Sequence, residues 1–227
     1  MNHLLRGHAP ITDEAWAEID KEARERLVPA LGARKLVDFD GPKGWKYSAT
    51  NLGRTEEVAD GPTDGTFVRQ RQVLPLVELR TPFTIRREEL AELDRGAIDT
   101  DFESLDDAAH TTAVAENTAV FHGLASAGIK GIADASSHTP IPLGENNYFR
   151  YPEHIAKAIE MLLTSGIEGP YGVALSPEMY TGVVESNEKG GYPLIKHIRN
   201  ILGEGSLVWA PGLEGAVVAS LRGGDFL

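Results

Sequence analysis

The chain has 227 residues, of which 41% are hydrophobic and 25% charged, so it can bury a large core in one elaborate domain or two smaller ones. Its formal net charge of −12 disfavours nonspecific binding to nucleic acid or to an anionic membrane, because both require a basic protein surface. The absence of cysteine excludes disulfides and thiolate metal sites, and the lack of an apolar signal core in Met1–Ala9 or of any apolar run of membrane-spanning length favours a cytoplasmic location.

The first predicted element is an amphipathic helix over residues 13–28. Thr12 and Asp13 can cap its N-terminus, where acidic side chains also interact favourably with the helix dipole. One stripe at helical spacing is apolar and consists of Trp16, Ile19, Ala23 and Leu27. We expect this helix to dock on its own domain or on a neighbouring molecule.

The segment over residues 32–47 follows this helix. The basic pair Arg34 and Lys35 leads into a short alternation of apolar and acidic residues, and two glycines then interrupt the chain at Gly41-Pro42 and Gly44-Trp45. The pattern predicts a strand, a turn and a loop anchored by Trp45.

Residues 46–80 are predicted to form a long two-stranded arm. The run from Asp60 to Gly65 is a concentrated turn signal that separates residues 46–59 from residues 66–80. Polar and charged side chains dominate both halves, and an isolated hairpin is only marginally stable in water. We therefore expect the arm to lean on a partner.

The rest of the chain mixes helices and strands. Ser104 and Asp107 resemble a capping box that opens an Ala-rich helix ending near Phe121, with Gly123 as its stop. Beyond a loop region at 128–147, the predicted elements are a helix bracketed by Pro152 and Gly166, a strand at Tyr171–Leu175, a helix at Pro193–Leu202, and strands at Leu207–Ala210 and Ala216–Leu221. Strands and helices do not alternate regularly enough for a doubly wound sheet, so the predicted fold class is α+β.

No arrangement of residues that is typical of catalysis was found. The sequence lacks a Walker loop, a dinucleotide-binding glycine motif, a zinc-protease helix motif, an EF-hand loop and a nucleophile elbow. Its seven histidines are scattered, with no pair at helical spacing. Asp134, Ser136, Ser137 and His138 include the residue types of a catalytic triad, but a triad depends on spatial geometry, and a polar surface loop is the simpler interpretation. We predict no catalytic residue and no metal site.

Over essentially its whole length the chain resembles the family 1 encapsulins, the linocin-like shell proteins of bacterial nanocompartments. The segment Gly32–Tyr47 carries the strongest likeness. Further blocks occur in the same order at Leu4–Arg6, Ala15–Asp20, Leu79–Thr84, Leu93–Gly96, Gly128–Ile132, Gly166–Tyr171, Gly191–Leu194, Trp209–Pro211 and Arg222–Phe226. Each block is weak alone, whereas the ordered set is specific.

The resemblance implies the tailed-phage major capsid protein fold of the Hong Kong 97 type. The implied regions are an N-terminal helix with a cargo-facing segment at 1–45, an E-loop at 46–80, a P-domain with a spine helix at 81–149, an A-domain at 150–221 and the start of a return to the P-domain at 222–227. Family chains continue past Gly-Gly-Asp-Phe into further strands, so the chain is expected to be truncated there.

The implied function is assembly of an icosahedral homo-oligomer that encapsulates a cargo enzyme through the C-terminal peptide of that enzyme. By the same likeness the cargo is a ferritin-like iron oxidase or a dye-decolourising peroxidase, which points to iron storage or oxidative stress. The implied cargo-binding residues are Leu27, Leu31, Arg34 and Asp38. The implied fivefold pore comprises Glu185, Ser186, Asn187, Glu188, Lys189, Gly190, Gly191 and Tyr192, as a flexible charged constriction.

Some relatives bind flavin through an aromatic residue near the start of the P-domain, and the matching stretch Arg86–Leu90 has none, so no cofactor is predicted. Two alternatives stay open. One is a phage or prophage capsid protein that packages DNA, although the acidic charge balance weighs against it. The other is a stand-alone hydrolase that uses Asp134 and His138.

Overall fold

A computed structural model describes residues 4–58, 61–144, 147–188 and 190–222 of the chain. The helices are α1 Asp13–Ala30, α2 Arg87–Leu93, α3 Glu103–Phe121, α4 Ile132–Ala135, α5 Tyr151–Thr164, α6 Pro177–Glu185 and α7 Leu194–Leu202. The strands are β1 Ala49–Val58, β2 Val68–Pro75, β3 Gly123–Leu124, β4 Ile129–Lys130, β5 Tyr171–Leu175, β6 Leu207–Trp209 and β7 Ala216–Ser220. This content confirms the predicted α+β class. Among the described residues, no helix has the length and apolar character that a membrane crossing requires.

Helix α1 begins where its capping residue predicts. The Thr12 hydroxyl accepts a hydrogen bond from the Ala15 amide at 3.1 Å, and the helix runs two residues beyond the predicted end to Ala30. Its buried residues Ala15 and Ile19 join Leu90 of α2 and Leu105 of α3 in a small apolar core. The apolar stripe therefore docks α1 on its own chain, along α3.

The start of α3 differs from the predicted capping box. Ser104 lies inside the helix, and its hydroxyl accepts a hydrogen bond from the Thr84 amide at 3.0 Å. The Glu103 amide is satisfied instead by the Asp101 carboxylate at 3.1 Å. Since Asp101 already caps the Glu103 amide, the Ser104 hydroxyl is free to hold the extended segment that leads into α2.

A three-stranded sheet organises the second half of the chain. Strand β5 is central, parallel to β6 and antiparallel to β7, and all its residues are buried. Helices α5, α6 and α7 supply apolar side chains to the core around this strand. The helix α6 was missed from sequence, although Ser176 accepts a hydrogen bond from the Met179 amide and Pro177 opens the helix, a recognisable N-terminal signal.

The predicted arm is confirmed as an antiparallel pair of β1 and β2, with register running from Ala49 opposite Pro75 to Val58 opposite Val68. A bulge interrupts the pairing between Asn51 and Thr55, where Gly53 has a φ of 67° and donates its amide to the Asn51 side chain at 2.9 Å. Among the described elements, β1 and β2 pack extensively only against each other. The arm therefore contributes little to the three apolar clusters of the described chain.

Four other predictions need correction or limits. The strand predicted within residues 32–47 is absent from the described chain, because residues 33–35 form a single 3-10 turn and no strand begins before Ala49. The predicted turn of the arm is described only from residue 61, and the predicted loop at 128–147 contains the short helix α4. Of the strand beginning predicted at 222–227, only Arg222 lies within the described residues.

Candidate functional site

A shallow pocket of about 210 Å³ lies between the segment after α1 and the exposed side of α3. Its lining residues are Ala33, Arg34, Val37, Asp38, Phe39, Glu116 and Val120. Of the four residues predicted to bind cargo, Arg34 and Asp38 line this pocket. Leu27 and Leu31 are half-buried and lie outside the pocket lining. The structure thus brings together the charged half of the predicted set and adds an apolar floor.

Asn117 holds the pocket segment in place. This side chain is fully buried on α3, accepts a hydrogen bond from the Ala33 amide at 2.9 Å, and donates to the carbonyls of Ala30 at 2.8 Å and Pro211 at 2.7 Å. A buried amide with all these partners fixes the geometry of the groups around it. The C-terminal end of α1, helix α3 and the turn after β6 meet here, and we call this region the Asn117 junction.

Gly32 brings the same segment close to the sheet. A Cβ atom at this position would lie 2.8 Å from the Trp209 carbonyl oxygen and 2.9 Å from Ala210, closer than side chains approach backbone. Glycine is therefore required for the contact, and the pocket segment rests directly on the end of β6.

The charges around the pocket are unequally neutralised. Arg34 makes two hydrogen bonds of 2.6 Å to the Glu116 carboxylate, and its guanidinium lies 4.4 Å from the centre of the Phe39 ring. The hydrogen bond to Glu116 raises the pKa of Arg34 above its ordinary value. Among the described residues, Asp38 has no hydrogen-bond or ion-pair partner, so the open charge on the pocket rim is negative.

The loop predicted to form a pore begins at the end of a helix and is tethered along its length. Glu185 is the last residue of α6, and Lys189 lies outside the described residues. Within the described part, the Glu188 amide donates to the Tyr192 carbonyl at 2.8 Å, and the Leu194 amide donates to the Ser186 carbonyl at 3.1 Å. These bonds close the loop on itself.

Helix α7 holds this loop from a second side. His197 Nδ1 contacts the Glu188 carboxylate, and one turn later the Asn200 amide donates to the Tyr192 hydroxyl at 3.0 Å. Gly190 and Gly191 have φ angles of 123° and 82°, which the turn requires. The Gly191 amide donates to the Glu188 carbonyl at 2.9 Å, so both glycines lie in or next to a hydrogen-bonded turn.

The residues considered for hydrolysis are not assembled into a catalytic arrangement. Asp134 is an exposed residue of α4, and Ser136 accepts a hydrogen bond from the His138 backbone amide at 3.2 Å. Within the described ranges, no hydrogen bond joins the side chains of Asp134 and His138, and no group of three histidine or acidic residues is placed to hold a metal ion.

Comparisons with known proteins identify close relatives along the whole chain. A sequence family described as an encapsulating protein for peroxidase matches residues 1–227. A type 1 encapsulin shell protein from Rhodospirillum rubrum is 45% identical over 231 residues, covering 100% of this chain and 82% of the relative. One from Brevibacterium linens is 42% identical over 226 residues, covering 100% and 84%. The crystal structure of a virus-like particle from Pyrococcus furiosus covers 87% of this chain and 77% of its own, with 16% identity and a TM-score of 0.46.

Proposed function

The chain belongs to the family of encapsulating shell proteins, and from this premise we propose that its copies close into a hollow icosahedral compartment around a cargo enzyme. The relatives are structural shell proteins, so the role of this chain is assembly and not catalysis. The observation that carries the proposal is the arm. Because β1 and β2 pack extensively on no other described element, this long hairpin depends on surface from neighbouring copies.

The proposed regions follow the tailed-phage capsid fold that the family adopts. The arm at 46–80 serves as the E-loop, residues 81–149 form the P-domain with α3 as its spine helix, and residues 150–221 form the A-domain. The core around β5 lies mainly within residues 150–221, and the apolar cluster shared by α1, α2 and α3 lies before them. A third cluster joins Phe121 of α3 to Ala174 and Ala219 of the sheet, so the two regions pack on each other. The region 1–45 then contributes α1 and the pocket segment.

We place the cargo peptide of the guest enzyme in the pocket beside Arg34 and Asp38. The apolar floor of Val37 and Val120 suits an apolar side chain of an extended peptide, and the unpaired Asp38 supplies a charge that can fix its direction. Arg34 is held rigidly by Glu116, so it shapes the pocket wall. Leu27 and Leu31 contribute only if the peptide extends beyond the pocket towards α1.

The family description favours a peroxidase as cargo, and a ferritin-like iron oxidase is the second choice. Either guest would give the compartment a role in oxidative stress or iron storage in the cytoplasm. The loop at 185–192 is proposed to surround a fivefold opening through which small solutes pass. Support comes from its exposed Glu185 and from the tethers that give the loop one shape.

Electron microscopy of the purified protein tests the proposal. We expect hollow icosahedral particles, whereas a monodisperse species of 24.6 kDa would overturn the shell function. Digestion of the particles with nuclease distinguishes a cargo compartment from a capsid that packages DNA. Particles that protect long DNA would indicate a DNA-packaging capsid instead of a cargo compartment.

A further inference from the structure

The arm has two faces of different chemistry. Residues that lie directly opposite each other in an antiparallel pair share a face, and alternate residues along a strand share it too. The face that we call the amide face carries Arg54, Glu56, Val58, Val68, Gln70, Gln72 and Leu74. The other, which we call the charged face, carries Thr55, Glu57, Arg69, Arg71 and Val73.

The pairing register and one side-chain contact define these faces. Glu56 lies opposite Gln70 and Val58 opposite Val68, whereas Glu57 lies opposite Arg69. The Gln72 side-chain amide donates to the Glu56 carboxylate at 3.3 Å. These two side chains therefore lie on the same face, next to the bulge.

The cost of burial differs between the two faces. Covering the charged face removes two guanidinium groups and one carboxylate from water. Glu57 lies opposite Arg69, so a neighbour must supply a partner for Arg71. The amide face carries one guanidinium, that of Arg54, and one carboxylate, that of Glu56, which also accepts a hydrogen bond from Gln72. Protein interfaces are depleted of charge at their cores, so the amide face is the better interface core.

Apolar side chains mark both ends of the amide face. Val58 and Val68 pair near the tip of the arm, and Leu74 lies near its base. Val58 is 40% exposed and Leu74 is 48% exposed, since nothing else in the described chain covers them. Two apolar anchors, separated by two glutamines and one pair of opposite charges, form a strip that a second protein surface can cover.

We propose that a second copy of this chain covers the amide face of the arm, while the charged face stays in water. The inference rests on the proposed function, in which the arm lies between copies, and adds which side of it is buried. A second copy is the occupant because the relatives of the chain are shell proteins, and a shell is built from many subunits, while the arm packs little on the rest of the described chain.

Thiol labelling of assembled particles tests this directly. The chain has no cysteine, so Gln70→Cys and Arg71→Cys each introduce a single thiol, on adjacent residues of β2 that face opposite ways. Each labelling rate is divided by the rate of the same variant after dissociation. We expect about tenfold slower labelling in particles at position 70 and less than about twofold slowing at position 71.

A residue exchange between the faces provides a second readout. Gln70→Arg with Gln72→Arg gives the amide face two arginines, and Arg69→Gln with Arg71→Gln removes them from the charged face. We expect the first variant to lower the yield of particles about tenfold and the second to assemble within about twofold of wild type. Circular dichroism checks that both variants keep the folded spectrum.

The possible results separate the inference from the proposed function. Slow labelling at position 71 with fast labelling at position 70, or the reverse pattern of yields, would overturn the choice of face while leaving the arm between copies. Equal protection at both positions would also overturn it, because both faces would then be covered. Fast labelling at both positions, with both exchange variants assembling normally, would remove the arm from the interface altogether.

Discussion

The arm and the Asn117 junction both depend on polar groups, and they use them in opposite ways. At the junction, Asn117 is fully buried and every one of its hydrogen bonds goes to backbone of the same chain. In the arm, most side chains are exposed, and among the described strands β1 and β2 pair only with each other. The junction is thus satisfied within its own chain, whereas the arm is the region that the proposed function covers with other copies.

Deleting the tip of the arm should prevent assembly without destabilising the fold of the single chain. Removal of Val58–Phe67 should abolish particles while leaving the free energy of unfolding within about 1 kcal/mol of wild type, since an isolated hairpin adds little stability. Electron microscopy and urea unfolding measure the two effects. The exposed turn variant Asp64→Ala is the control and should assemble normally. Normal shells from the deletion variant would show that the arm is dispensable.

Asn117→Ala should have the next largest effect, and the quantity that it lowers is the stability of the folded chain. It leaves the Ala33 amide and the carbonyls of Ala30 and Pro211 without their partner, and we expect a loss of about 2–4 kcal/mol in the free energy of unfolding.

The matched control for this change is Asn200→Ala. Asn200 is exposed on α7 with a single side-chain hydrogen bond to Tyr192, so its removal should cost less than about 1 kcal/mol. Urea unfolding of both variants gives the comparison. Equal losses would contradict the structural role assigned to the junction.

Arg34→Glu should weaken cargo loading without preventing assembly. The change replaces the paired guanidinium with a carboxylate facing Glu116, which opens the pocket wall and adds like-charge repulsion. We expect about tenfold weaker binding of the cargo peptide by calorimetry.

Lys35→Glu serves as the control for that experiment. Lys35 is the exposed neighbour of Arg34, lies outside the pocket lining and donates only to the Pro29 carbonyl at 2.9 Å. It should load cargo normally. If Arg34→Glu also loads cargo like the wild type, Arg34 has no role in peptide binding.

The smallest expected effect concerns the loop at 185–192. In the proposed shell each of its charges is repeated around a fivefold axis, so changing both Glu185 and Glu188 to Lys should slow entry of ferrous iron relative to an uncharged solute. The ratio should recover at high salt, because exposed charges are screened within about 10 Å at 0.1 M. Stopped-flow uptake by cargo-loaded shells measures this ratio. Identical ratios for wild type and the double variant would show that iron enters the shell elsewhere.

The sequence predicts features that depend on neighbouring residues and misses those that depend on distant ones. The cap at Thr12 and the turn signal of the arm are local, so α1 and the hairpin were predicted correctly. Glu116 pairs with Arg34 from 82 residues away, and no local pattern marks it. Asn117 likewise looks like an ordinary polar residue of an Ala-rich helix until the fold places three backbone groups around it.

Ser104 shows how a correct local signal can be reassigned by the fold. Its spacing to Asp107 fits a capping box, yet Asp101 occupies that role and Ser104 binds the Thr84 amide instead. The sequence likewise groups Leu27 and Leu31 with Arg34 and Asp38 as candidates for cargo binding, whereas only Arg34 and Asp38 line the pocket. Which residues share a pocket depends on how α1 ends against α3, and spacing along the chain does not determine that.

Hydrogen–deuterium exchange on assembled and dissociated protein tests the central claim most directly. Amides of β1 and β2 should exchange at least about tenfold more slowly in particles than in the dissociated chain, while amides at the Asn117 junction, such as that of Ala33, should be equally protected in both. Arm amides that exchange at the same rate in the two states would contradict the dependence of the arm on neighbouring copies.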